Sequence, residues 1–139
     1  MSDSLPPDLP VDQPSPALPI AIAGLGKIAL DQHLPAIAST ARFRLAASLS
    51  RNASLPGLPG FTTWEALQAG APPLAAIALC TPPQVRMALA QKALQAGLDV
   101  LLEKPPAATV SEILNLKAIA RQQGRVLFAS WHSRFAAGV

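Results

Sequence analysis

The 139-residue sequence has a single cysteine and no tyrosine. Cys80 by itself excludes an internal disulfide framework, and no Cys/His spacing suggests zinc or any other metal. Aromatic residues are few, and Lys and Arg never form a run interleaved with them, so nucleic acid is not an expected partner. No apolar stretch reaches the roughly 20 residues of a membrane-spanning helix. The N-terminus carries Pro and Asp where a secretory signal has a basic segment followed by an apolar one. The expectation is a cytoplasmic chain.

What is abundant is apolar: half of the residues, enough for one domain with a sizeable core but too short a chain for a typical two-domain enzyme. Six of the fifteen prolines precede Ile20, where Asp3, Asp8 and Asp12 are also found and no base is. Residues 1–19 therefore read as a disordered leader with polyproline tendency. All eleven bases and five of the eight acids lie after it, a positive excess that suits an anionic ligand.

From Ile20 onward, short apolar runs alternate with helical patterns. Strands are expected at 20–23, 43–49, 74–80, 100–103 and 126–130. Helices are expected from Gly26 to about Leu34, where Pro35 should end or kink the first, then from a Thr62 or Thr63 cap to Ala69, over 84–96, and over 110–123. Thr109 or Ser111 opens the last helix; Gly97 and Gly124 close the last two. Residues 52–60, rich in Pro and Gly, read as a loop. This β-α alternation predicts an α/β fold, a Rossmann-type doubly wound parallel sheet, over residues 20–130.

The first strand runs into Gly24-Leu-Gly26-Lys27-Ile28-Ala29, which fits the dinucleotide-binding pattern G-x-G-x-x-G/A. Gly24 allows the tight turn, Gly26 lets a pyrophosphate approach the backbone, and small Ala29 lets the helix lie close to the strand. Lys27 and Ile28, in the first turn of that helix, complete the predicted phosphate segment, because unpaired N–H groups there face an anion. Close strand–helix packing would select the same small residues.

An acid closing the second strand would favour NAD by binding the ribose hydroxyls. This sequence has Ser50-Arg51 there instead, a hydroxyl donor and a guanidinium suited to the 2′-phosphate of NADP. NADP is the predicted cofactor, with NAD as the alternative; a solvated Arg51 is the plain alternative role for that residue. Thr81-Pro82-Pro83 follows the third strand as a rigid wall whose Thr81 hydroxyl can meet a ribose or phosphate, although a proline-stopped strand explains it equally. Glu103-Lys104-Pro105-Pro106 follows the fourth. Charges ending a buried strand need partners or a ligand, and an ammonium there can hydrogen-bond a reacting hydroxyl. Trans is the commoner form of the Lys104–Pro105 peptide.

Gly24-x-Gly26-x-x-Ala29, His33-Leu34-Pro35-Ala36, Thr81-Pro82-Pro83 and Glu103-Lys104-Pro105 together resemble the glucose–fructose oxidoreductase/inositol dehydrogenase family. Asp31-Gln32-His33-Leu34-Pro35 and Trp131-His132-Ser133-Arg134 are similar to its bacterial aldose 1-dehydrogenases, those acting on D-galactose and L-arabinose. The resemblance implies oxidation of an aldopyranose at C1 to the lactone, with hydride passing to NAD(P). It also implies a catalytic and substrate role for Lys104, a cis bond before Pro105, Ser50 and Arg51 on the 2′-phosphate, and His132 on the sugar. Within this reading Gly24, Gly26, Lys27, Ile28, Ser50, Arg51, Thr81, Pro82, Glu103 and Lys104 bind the cofactor.

Arg86 stands where many relatives carry His, which weakens any cofactor contact assigned there; a helix-surface arginine is the plain alternative. His33 reads as structural or solvated, and Trp131 as sugar-stacking or packing. Family members continue into a substrate domain, of which residues 131–139 resemble the start. The expectation is thus a cofactor half, not catalytically competent by itself, with self-association through the exposed C-terminal stub. A non-catalytic nucleotide-binding module acting through a protein partner, tethered by the leader, is the alternative.

Overall fold

A computed structural model of the protein describes residues 15–130. The first strand, β1 (Leu18–Ala23), begins two residues before the predicted boundary: Pro19 still pairs through its carbonyl, which accepts from the Ala75 N–H at 2.8 Å. The chain then passes through a helical turn to α1 (Leu34–Ala38), β2 (Phe43–Leu49), β3 (Gly60–Phe61) and α2 (Trp64–Gly70). It continues through β4 (Ala76–Leu79), α3 (Pro83–Gln95), β5 (Asp99–Leu102), α4 (Val110–Gln123) and β6 (Leu127–Ala129).

All six strands are parallel, in the order β3-β2-β1-β4-β5-β6. Because strand side chains alternate, each central strand serves two cores. Ala21 and Ala23 of β1, Ile77 and Leu79 of β4, and Val100 and Leu102 of β5 face one cluster, closed by α2, α3 and α4 through Trp64, Leu67, Ala93, Leu94 and Leu116. Ile22 and Ala78 point the other way and meet Ala29, with Leu34 and Leu101 at the margin. Burial on both faces explains why these strands read as unbroken apolar runs. This is the Rossmann-type doubly wound arrangement that the β-α alternation predicts.

Three local expectations need correction. Among the described residues the sheet has six strands, because Gly60 and Phe61, at the end of the expected loop, pair with Ser48 and Leu49. The Ser50 N–H also donates to the Phe61 carbonyl at 2.9 Å. At Pro35, where an end or a kink is expected with a short turn resuming over 36–39, the helix is not ended. Residues 29–33 widen into a π-turn in which the Leu34 N–H reaches the Ala29 carbonyl, five residues back, and the helix continues to Ala38. A proline has no N–H for the usual bond and its ring crowds the preceding turn, so the irregularity falls just before it. Finally, β4 starts at Ala76 rather than Leu74, and β6 covers only Leu127–Ala129.

The caps decide the helix starts. Thr63 Oγ1 accepts from the Ala66 N–H. Thr109 and Glu112 form a reciprocal capping box, so Thr109 rather than Ser111 opens α4.

Candidate functional site

In a parallel sheet every strand delivers its carboxyl end to the same edge. Here the chain leaves β1 outward to β2 and later returns to β4 on the other side of β1. The crevice between the two directions is where such sheets hold ligands. Four segments meet there: Gly24 after β1, Ser50 and Arg51 after β2, Cys80 to Pro82 after β4, and Glu103 to Pro105 after β5.

Two depressions share that edge. The larger, about 590 Å³, is lined among others by Gly24, Ser50, Arg51, Thr63, Thr81 and Pro82. The smaller, about 360 Å³, is lined by Gly24, Gly26, Ile28, Cys80, Thr81, Pro82, Arg86, Glu103 and Lys104. Volume does not single this edge out, since the hollow between α1 and residues 55–58 measures about 540 Å³. Convergent polar groups and backbone ends do.

The two glycines differ in what requires them. Gly24 sits at φ +84°, and a Cβ there would lie 2.9 Å from both the Cys80 carbonyl carbon and the Thr81 nitrogen. The turn is pressed against the exit of β4, so the fold itself requires glycine. At Gly26 a Cβ would meet no protein atom within 4 Å, and no positive φ demands glycine. Helix formation begins here: the Leu30 N–H donates to the Gly26 carbonyl at 3.1 Å, leaving the N–H groups just before it without helical partners.

The smaller depression has a polar framework. Arg86, in the first turn of α3, is only 3% exposed. Its guanidinium donates to the main-chain carbonyls of Glu103 and Pro105 through Nη1, and to that of Thr81 through Nη2. Helical side chains lean toward the helix N-terminus, which carries Arg86 back over these turns. Burial lowers its pKa from the ordinary value, but a guanidinium keeps its proton at neutral pH. The plain alternative for Arg86, a helix-surface residue, is thus overturned. Its place in the first turn after Thr81-Pro82-Pro83 was the available signal.

Glu103 Oε1 lies 2.6 Å from His33 Nε2, and its Oε2 accepts from the Lys104 N–H at 3.1 Å. Burial opposes ionisation of Glu103, but these bonds from His33 and Lys104 outweigh it and hold the carboxyl below its ordinary value. His33 is therefore structural: it fastens the π-turn to the end of β5. Cys80 is pushed up to about 12, by burial first and the Glu103 charge second, so at neutral pH it is a protonated thiol and not a nucleophile. The Lys104–Pro105 bond is cis. Lys104 itself is exposed, and its ammonium has no ion-pair partner among the described residues.

Of the residues expected at the cofactor, all but one line these depressions. The exception is Lys27, whose ammonium pairs with Asp31 one turn along the helix, in solvent. His132 and Trp131 lie outside the described residues. The polar inventory fits a dinucleotide: open space beside Gly26, unpaired N–H groups at a helix start, and the Thr81 Oγ1, a buried hydroxyl with no partner. No group of three or more His, Cys, Asp or Glu among the described residues could hold a metal. No described helix is long and apolar enough to cross a membrane.

Comparison with known proteins agrees with this geometry. Residues 18–130 match the model of the GFO/IDH/MocA family, described as "Oxidoreductase family, NAD-binding Rossmann fold". The galactose 1-dehydrogenase of Pseudomonas fluorescens is 46% identical over 93 residues, covering 67% of this chain and 31% of that protein. D-glucoside 3-dehydrogenase of Escherichia coli K12 is 37% identical over 60 residues, 43% of this chain and 17% of that one. The crystal structure of D-galactose-1-dehydrogenase from Rhizobium etli superposes with a TM-score of 0.88 at 50% identity, covering 91% of this chain and 41% of that one. The chain thus spans less than half the length of each of these relatives. With the family model matching residues 18–130 and the glycine turn, the switch point and the Glu103-Lys104-Pro105 turn in place, the chain belongs to the GFO/IDH/MocA oxidoreductase family, with an NAD-binding Rossmann fold.

Proposed function

We propose that this chain is the nucleotide-binding part of an NADP-preferring dehydrogenase that oxidises an aldopyranose of the galactose or arabinose type at C1 to the lactone. The observation that carries the nucleotide reading is Gly26: nothing in the protein demands glycine there, while the space its missing side chain leaves open faces the start of a helix. The sugar class is supported by the two galactose 1-dehydrogenase relatives.

In this reading the N–H groups at the start of the first helix, with Gly24, Gly26 and Ile28, hold the pyrophosphate. Ser50 and Arg51 hold the 2′-phosphate from the larger depression, and no acid at the end of β2 repels it. Thr81 and Pro82 wall the path between the depressions, and the Thr81 hydroxyl hydrogen-bonds the nucleotide. A nicotinamide dinucleotide held by these residues would supply the acceptor for the hydride leaving C1 of the sugar. Lys104 hydrogen-bonds the reacting hydroxyl and orients it, and Glu103 keeps the adjoining turn in place through His33 and the Lys104 N–H. Residues 18–130 then form the cofactor domain, and residues 131–139 open the substrate-covering part, with His132 at the sugar. Because the chain spans about a third of galactose 1-dehydrogenase, nucleotide binding without lactone production is what it should show by itself.

Calorimetric titration with NADP+ and NAD+ tests this. NADP+ should bind more tightly, and Gly26→Ala should abolish binding while leaving the unfolding midpoint in place, because its Cβ meets only open space. An unchanged affinity in Gly26→Ala, or no binding by the parent chain, would sink the proposal.

A further inference from the structure

We propose that Arg86 is a positioning residue for Lys104: its guanidinium bolts the turn after β5 to the turn after β4 and so sets where the Lys104 ammonium stands. The inference rests on the nucleotide-site reading and extends it to a residue that contributes only indirectly. The β4–β5 ladder ends where the Glu103 N–H donates to the Leu79 carbonyl at 3.1 Å. Beyond that bond the main chains of the two turns have no ladder to hold them together.

Arg86 supplies the missing connection. Its Nη1 grips the carbonyls of Glu103 and Pro105, the residues on either side of Lys104, while Nη2 grips Thr81. Three acceptors on two turns are held by one planar, buried group. That geometry suits a guanidinium, whose donors lie in a rigid fork; an ammonium is a compact charge on a flexible stem and cannot span the same acceptors in one plane. With Lys104 flanked on both sides, its peptide is fixed although its side chain is exposed and free to meet a ligand. Arg86 lines only the smaller depression; Ser50 and Arg51 line only the larger. Its influence should therefore be confined to one half of the nucleotide.

Calorimetry with NADP+ and with 2′,5′-ADP, which lacks the nicotinamide half, separates the two depressions in the full chain. In Arg86→Met, NADP+ affinity should fall at least tenfold, toward that of 2′,5′-ADP, while 2′,5′-ADP affinity stays within twofold. Arg86→Lys should recover only part of the loss, and it serves also if the Met variant does not fold. Amide exchange of Lys104, measured by NMR without ligand, should speed up at least tenfold in either variant while that of Ser50 does not change. Equal losses for both nucleotides would make Arg86 a general fold residue, and unchanged NADP+ affinity or unchanged Lys104 exchange would remove the clamp; each overturns the inference. If the parent chain binds neither nucleotide the functional reading fails, and the exchange measurement still decides the role of Arg86.

Discussion

The two depressions at the carboxyl edge hold their charges in opposite ways. In the larger, Arg51 lies two residues past the end of β2 and stands exposed at the rim beside Ser50. In the smaller, Arg86 is buried and makes three hydrogen bonds to main-chain carbonyls, while Glu103 is engaged by His33, which lies 70 residues earlier. An exposed charge is available to a ligand's charge and is screened by solvent until the ligand arrives. A buried charge hydrogen-bonded to main-chain carbonyls instead fixes the shape of the backbone around it. Under the proposed function, one depression recognises and the other aligns, which is the division a hydride-transfer site needs.

Gly24→Ala should break both at once, since Gly24 borders each. A positive φ and a Cβ 2.9 Å from two backbone atoms predict a loss of about 3 kcal/mol in urea unfolding, with nucleotide binding lost as well. A loss below about 1 kcal/mol would show that the turn can yield. Arg51→Ala should sharpen the contrast. NADP+ affinity should fall tenfold or more, as loss of a charge-assisted hydrogen bond of about 1.5–3 kcal/mol requires, with NAD+ affinity and the unfolding midpoint unchanged. Equal weakening of both nucleotides would remove the 2′-phosphate assignment.

Glu103 carries the smallest effect and its sign follows from its depressed pKa. The folded carboxyl titrates below the ordinary value of 4.5, so its contribution is complete above that pH and is lost as the pH falls through the lower folded value. Glu103→Gln should be less stable than the parent by about 1 kcal/mol at neutral pH. The difference should shrink on acidification below pH 4.5, as followed by circular dichroism during urea unfolding at several pH values. A difference that stays constant with pH would show that the carboxylate charge is not what His33 and the Lys104 N–H hold.

Much of the fold was legible because its signals are local. Apolar runs such as Ala21-Ile22-Ala23 and Ile77-Ala78-Leu79 announce strands buried on both faces, and Thr109 with Glu112 announces a helix start within four residues. The strand at Gly60–Phe61 gave no such sign: its residues lie beside a Pro- and Gly-rich loop, and only pairing with Ser48 and Leu49 of β2 makes them a strand. Glu103 and Lys104 stood out because charge at the end of a buried strand is conspicuous. Arg86 did not, since one arginine on an amphipathic helix looks like any solvated one until the turn after β5 is folded against it.

The alternation of strands and helices, the glycine turn with its Gly24 and Gly26, the caps, and the absence of an acid after β2 follow from the sequence alone, because each depends on residues within a few positions of one another. The burial of Arg86, the Glu103–His33 pair and the pairing of Gly60–Phe61 with β2 were decided only when the strands assembled. Which polar group loses its water, and which main-chain carbonyl replaces it, depends on segments up to 80 residues apart meeting at one edge, and no local pattern encodes that meeting.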